Sequence, residues 1–254
     1  MIDIDAAAER MFAALKAHEH KPLLSAEGEL SLADAYAIQK QLVEQLMSVD
    51  QKGGFKAALS NPAAQANVGA EEPVFGVLLA GGARHPGAII ANHEFHRAVV
   101  ETESGYRIGQ TVSAPVTEDS VWDHIDQVMP MIELADPGFA SGGRMTAMDL
   151  VSGNSAAAGY IAGTATDRPG SLDDFPVRLH RDGEQISEGN GADAMGSQMF
   201  AVCWLINKSL SEGYTLTPGQ ILMTGSLGQP QPALPGHYVG DFGDFGQIEF
   251  KIEG

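Results

Sequence analysis

From about Gly53 to the C-terminus the chain is a succession of short apolar runs, VFGVLLA, GAII, AVVETES, FPVRLHRDG, ILMTGSLG and QIEFKIEG, separated by Gly, Pro, Asn and Asp. Runs this short, bounded by turn formers, read as strands. Asp182-Gly183 lies between two strand-like arms in RLHRDGEQIS and marks a hairpin. The first fifty residues have a different texture. AAAERMFAALKAH consists of strong helix formers, and SLADAYAIQKQLVEQL offers Ser31 as N-cap, Asp34 three residues on, and Ala35, Ile38, Leu42 and Leu46 along one stripe. Two further helices are expected, one over TEDSVWDHIDQVM with Thr117 or Asp119 as cap, the other over GSQMFAVCWLINKSLSEG ending at Gly213. No solenoid or propeller period recurs, and no charged block or Ser/Gly-rich linker divides the chain. The expected architecture is α+β, one unit over residues 1–254, with a helical N-terminal layer (1–52) and a strand-rich body (53–254).

The 254 residues, 44% of them apolar, suffice for an ordinary buried core. Fifteen Lys plus Arg against 33 Asp plus Glu leave a net charge of -18, which repels phosphate backbones and anionic bilayers and argues against nucleic acid or membrane partners. Asp3 and Asp5 stand where a secretory leader carries positive charge, and FAVCWLI is too short to span a bilayer, so a cytoplasmic protein is expected. The single cysteine, Cys203, excludes an internal disulfide and reads as a core thiol between Val202 and Trp204.

Chemistry gathers around carboxylates. In VVETES, Glu101 and Glu103 are two apart on a strand and therefore share a face. On an exposed strand that pattern is ordinary. Glu133, however, lies inside the apolar run MPMIELAD, where an isolated carboxylate must be paired, protonated or bound to a cation. Three converging carboxylates suit the oxygen preference of Mg²⁺ or Mn²⁺ and leave coordination positions open for substrate. Lys56, in GGFKAALSNPAAQ on a strand-like segment followed by a turn at Asn61-Pro62, could neutralise the surplus negative charge and polarise a bound carbonyl. His93 and His96 in HEFH precede a strand and read as a surface turn; the glycine patches do not open helices as a phosphate loop would. Ser60 and Ser155 lack a nucleophile-elbow context and read as polar contacts or turn residues.

The ordered segments AYAIQ, GGFKAALSNPAAQ, EEPVFGVL, VVETES, MPMIELAD, GNSAAAG and ILMTGSLG resemble the 2-keto-4-pentenoate hydratase and 4-oxalocrotonate decarboxylase family of the fumarylacetoacetate hydrolase superfamily, over nearly the whole chain. The resemblance implies a mixed β-sandwich roll, Mg²⁺ or Mn²⁺ held by Glu101, Glu103 and Glu133, a catalytic Lys56, and substrate contacts at Ser60, Asn154, Ser155 and Thr224. It implies a homo-oligomer acting on a small 2-oxo acid, adding water to a 2-hydroxydienoate from aromatic ring cleavage, and an association with a pathway hydratase or decarboxylase. Decarboxylation of a 2-oxo-3-enedioate is the alternative reaction, and a non-catalytic binding or assembly subunit the alternative of another class. Two departures bear on that choice: Val74 stands in PVFG where many hydratases carry an acid, and Gly153 stands in SGNSA where an acid is common.

Overall fold

The computed structural model describes residues 2–167 and 171–254. Helices α1 (Ile4–Ala17) and α2 (Leu32–Leu46) come first. Asp3 caps α1 by accepting from the Ala6 amide, and Ser31 and Asp34 cap α2 reciprocally. The stripe Ala35, Ile38 and Leu42 is buried as the spacing requires.

The body then runs through β1 (Lys52–Ala58), α3 (Pro62–Val68), β2 (Val74–Leu79), β3 (Ala83–Arg84), β4 (Ile89–Ala91), β5 (Val99–Ile108) and β6 (Ile125–Ala135). It continues through α4 (Ala147–Ser152), β7 (Gly159–Ala162), β8 (Pro176–Arg181), β9 (Glu184–Asn190) and α5 (Gln198–Ser211), and closes with β10 (Ile221–Met223), β11 (Gln231–Pro232), β12 (Gly236–Asp241) and β13 (Gln247–Glu253). One mixed sheet has the order β2-β1-β10-β5-β6-β7-β3, with β11 added to β5; the other has the order β4-β13-β12-β8-β9.

The larger sheet curls on itself. Leu78 of β2, Met223 of β10, Met129 and Met131 of β6 and Tyr160 of β7 close into one apolar cluster although their strands are spread across the sheet. A Cβ at Gly53 of β1 would stand 2.6 Å from the Tyr160 hydroxyl, so only hydrogen fits there. The outer face meets α5 on one flank and the second sheet on the other, where a Cβ at Gly240 would meet Ile132 at 2.9 Å. The result is a rolled sheet backed by a second sheet, with α1, α2 and α4 packed together at one side.

Three expectations change. The stretch TEDSVWDHIDQVM is not an α-helix: Val121–His124 forms a 3₁₀ turn and β6 starts at Ile125. The Ser120 hydroxyl takes the Thr117 amide at 2.9 Å, closing a turn, and β6 pairs with β5 along its length, so sheet pairing overrides a local helical signal. Asn61-Pro62, read as a turn, is the N-cap and first residue of α3. Cys203 is half-buried rather than a core thiol; its Sγ donates to the Val116 carbonyl at 3.2 Å on the outward side of α5. The expected hairpin is present, with Asp182 and Gly183 both at positive φ between β8 and β9.

Candidate metal centre

Glu101 of β5 stands directly opposite Glu133 of β6, and Glu103 opposite Met131. Strand alternation puts Glu101 and Glu103 on one face, and cross-strand pairing brings Glu133 onto the same face, inside the roll. One oxygen from each carboxylate lies within 4.8 Å of the other two. Lys56 reaches in from β1: its Nζ is 2.9 Å from Glu133 Oε1, an ion-pair approach outside hydrogen-bond geometry, and donates to Oε2 at 3.1 Å. The Gly225 amide donates to Glu103 Oε2 at 2.9 Å.

Gly225 has a φ of 110°, and a Cβ there would stand 2.4 Å from Ser60 Cβ. Glycine alone lets that amide approach the carboxylate. The other oxygen of Glu103, Oε1, is buried with no hydrogen-bond partner.

Burial dominates the electrostatics. It raises the Glu103 carboxyl well above its ordinary value, with Glu133 and Glu101 adding repulsion that Lys56 and the Gly225 amide only partly oppose. The Glu101 carboxyl is pushed up to about 7 by desolvation and by Glu133, against Lys56 and a hydrogen bond from Ser226. Glu101 as a residue is half-buried and opens onto the cleft, but its carboxyl is desolvated. Burial pulls the Lys56 ammonium down, yet Glu133, Glu101 and Glu103 outweigh it and hold Lys56 above the usual lysine value. Three carboxylates against one ammonium leave negative charge that a dication would neutralise. The unpartnered Glu103 Oε1, an all-oxygen donor set and facing geometry fit a hard divalent cation.

A cleft of about 500 Å³ opens onto this centre; Lys56, Ser60, Glu101, Ser155 and Ser226 contribute its polar side chains near the carboxylates. Ser60 and Ser155 thus reach the cleft, although the Ser155 hydroxyl is already donated to the Phe75 carbonyl at 2.7 Å. Asn154 is directed elsewhere: its amide takes both the N–H (2.8 Å) and the C=O (2.9 Å) of Val77, completing the outer edge of β2 as a strand would. Thr224 also faces away from the cleft, donating to Gln198 Oε1 at 2.8 Å beside the Tyr106 hydroxyl, on the opposite face of the sheet from Glu103. Neither of those two expected substrate contacts lines the cleft. Two contributors were not anticipated: the Gly225 amide and the Ser226 hydroxyl. TGSLG carried a signal for both, since a glycine next to a predicted strand end permits close backbone approach.

A 2-keto-4-pentenoate hydratase of Paraburkholderia xenovorans is 29% identical over 219 residues, covering 85% of this chain and 81% of its own. A 2-oxo-hept-4-ene-1,7-dioate hydratase of Escherichia coli is 29% identical over 256 aligned positions, covering 96% of each. The solved structure of 4-oxalocrotonate decarboxylase from Pseudomonas putida G7, complexed with magnesium and adipate, superposes with a TM-score of 0.92 at 21% identity over 98% of this chain and 97% of that one. The fumarylacetoacetate (FAA) hydrolase C-terminal family matches residues 54–253, which hold β1, β5 and β6 and with them Lys56, Glu101, Glu103 and Glu133. Family and fold agree, and the chain belongs to the fumarylacetoacetate hydrolase C-terminal family.

Proposed function

We propose that the protein is a divalent-metal-dependent lyase that hydrates a short 2-hydroxydienoate or 2-oxo-enoate. The observation that carries this reading is the convergence of Glu101, Glu103 and Glu133 with Lys56 at the base of the cleft. Glu101, Glu103 and Glu133 would hold Mg²⁺ or Mn²⁺, which when bound supplies Lewis acidity toward the carboxylate and 2-oxygen of a 2-oxo acid. Lys56 keeps its proton at neutral pH, fixes Glu133, and offers a hydrogen-bond donor where negative charge grows on the substrate oxygen. The Gly225 amide fixes Glu103, and Ser226 fixes Glu101, so both carboxylates are oriented before substrate arrives. The apolar cluster beneath excludes water from the far side of the centre.

Decarboxylation of a 2-oxo-3-enedioate is the second reading, favoured by one observation. Among the described residues lining the cleft, Glu101 is the sole carboxylate and no histidine is present, so beyond the metal-facing acids there is no base to position water. Val74 is buried against the core and supplies none. The test is a turnover panel with and without Mg²⁺, using 2-hydroxypenta-2,4-dienoate and 2-oxohex-3-enedioate. Metal-dependent consumption of the first without CO₂ release is expected. CO₂ release from the second alone would overturn hydration in favour of the second reading, and no turnover of either would overturn both. The same reading has the protein working as a homo-oligomer in the cytoplasm, one unit over residues 1–254, associated with a hydratase or decarboxylase of the same pathway.

A further inference from the structure

A second cavity, of about 260 Å³, is separate from the catalytic cleft and shares no lining residue with it. Its polar wall is drawn from distant parts of the chain: His18 and Lys21 at and after the end of α1, Arg84 of β3, Glu94 and His96 before β5, and Asp136 after β6. Lys21 is 3% exposed, and its backbone is pinned to the loop after β6. The Lys21 amide donates to the Gly138 carbonyl and the Lys21 carbonyl accepts from the Ala140 amide, both at 2.9 Å. Its stem lies over the backbone at Gly153, and its Nζ is 4.9 Å from the centre of the Phe139 ring. Among the described residues the ammonium makes one hydrogen bond, a long one of 3.3 Å to the Asp136 carbonyl. An ammonium has three donors, so two N–H groups are left without a partner.

The carboxylates around the cavity are already engaged. Asp136 is near enough to attract Lys21, but its two oxygens accept the His96 amide at 2.8 Å and the Arg97 amide at 3.0 Å. Glu94 accepts from the Ala91 amide and from Arg84, both at 3.1 Å, and Glu19 is exposed. His18 and His96 add ring nitrogens that can donate, with their rings stacked at 4.5 Å between centroids. What the cavity offers inward is therefore donors and the Lys21 charge. Buried donors without acceptors are costly, and a negatively charged oxygen is the acceptor that satisfies an ammonium best. The rest of the chain, with a net charge of -18, repels such an occupant, so the preference is local to this cavity.

We propose that this cavity is a binding site for a small oxyanion, a carboxylate or phosphate group held by the Lys21 ammonium with His18 and His96 beside it, separate from the metal centre. The site stands whichever reaction the metal centre performs.

Imidazole NMR signals report on it directly, because His18 and His96 line the cavity while His180 and His237 lie on β8 and β12 of the other sheet. Mg²⁺-loaded protein at constant pH is titrated with phosphate, with acetate and with chloride. Phosphate or acetate is expected to move the His18 and His96 signals saturably and to leave His180 and His237 in place, and chloride to move none of them. Lys21→Met should weaken that binding at least about tenfold, since it removes the charge-assisted donor. Glu103→Gln, which alters the metal centre alone, should keep it. The wild-type titration decides even if Lys21→Met does not fold: no saturable shift with either oxyanion, an equal shift with chloride, or shifts shared by His180 and His237 would overturn the site. Binding that survives in Lys21→Met, or is lost in Glu103→Gln, would overturn it too, because the anion would then be held elsewhere.

Discussion

An ammonium kept from water without an ion-pair contact destabilises a fold, and Lys21 is held that way. Burial lowers it to about 8, with Asp136 drawing it partly back and Lys56 pushing it further down. At pH 7 the folded and unfolded chains both hold the proton, so the whole penalty is present, roughly 3 kcal/mol for a shift of this size. Between about 8 and 10.5 the folded chain is neutral while the unfolded chain stays charged, so stability rises with pH across that window. Lys21→Met keeps an unbranched stem against Phe139 and removes the charge. It should therefore stabilise the protein at pH 7 by about 1–3 kcal/mol in denaturant unfolding, with the gain shrinking as the pH rises from about 8 to 10.5. An unchanged or lower stability at pH 7 would mean the charge is already satisfied. Sequence could not show this residue, because HEHKPLL reads as a polar connection and only the tertiary packing of Phe139 and Gly153 buries it. Glu133 was legible for the opposite reason: a carboxylate inside MPMIELAD has no local way to reach water.

Elements fix what residues can reach. Asn154, Ser155 and Ala156 all sit at positive φ, 62°, 50° and 59°, and this left-handed turn lets two consecutive side chains bond to the free edge of β2, at Val77 and Phe75. Alternation reasoning worked for VVETES because β5 is regular. It has no purchase on Asn154 and Thr224, which lie on a left-handed turn and just beyond the end of β10, where side-chain direction no longer follows period two. The loop after β10 supplies the sharper test. In Gly225→Ala the new methyl group meets Ser60 while the backbone is held at a φ of 110°, so the amide should withdraw from Glu103. We expect a loss of about 1–3 kcal/mol in stability and a roughly tenfold weaker Mg²⁺ affinity. Gly219→Ala is the control, with a φ of 89° and open space around the new methyl, and it should lose stability alone. Equal Mg²⁺ affinity in the two variants would remove the Gly225 amide from the centre.

At the scale of the molecule, the α+β class and the helical first fifty residues could be read from texture, whereas strand order could not, since pairings such as β1 with β10 join residues 167 apart, as Gly54 with Ile221. The curl those pairings produce turns three separate acids into one site and makes metal part of the fold's stability. In metal-free protein the Glu101 carboxyl lies at about 7 and the Glu103 and Glu133 carboxyls are raised, burial being the leading cause for each. Below about 7 the folded chain keeps protons that the unfolded chain has already released, so raising the pH through that window costs the metal-free protein stability. A dication takes the place of those protons and binds the deprotonated acids of the native state alone, so its stabilising effect must grow over the same window. Thermal unfolding with and without Mg²⁺ should therefore show a small rise in Tm near pH 5.5 and a larger one near pH 8. Glu103→Gln keeps the shape of the side chain but removes one anionic ligand, and should abolish most of the rise at the higher pH. A rise independent of pH, or equal in the variant, would mean that Mg²⁺ binds elsewhere, and Glu101 and Glu103 would share a face for some other reason than a shared cation.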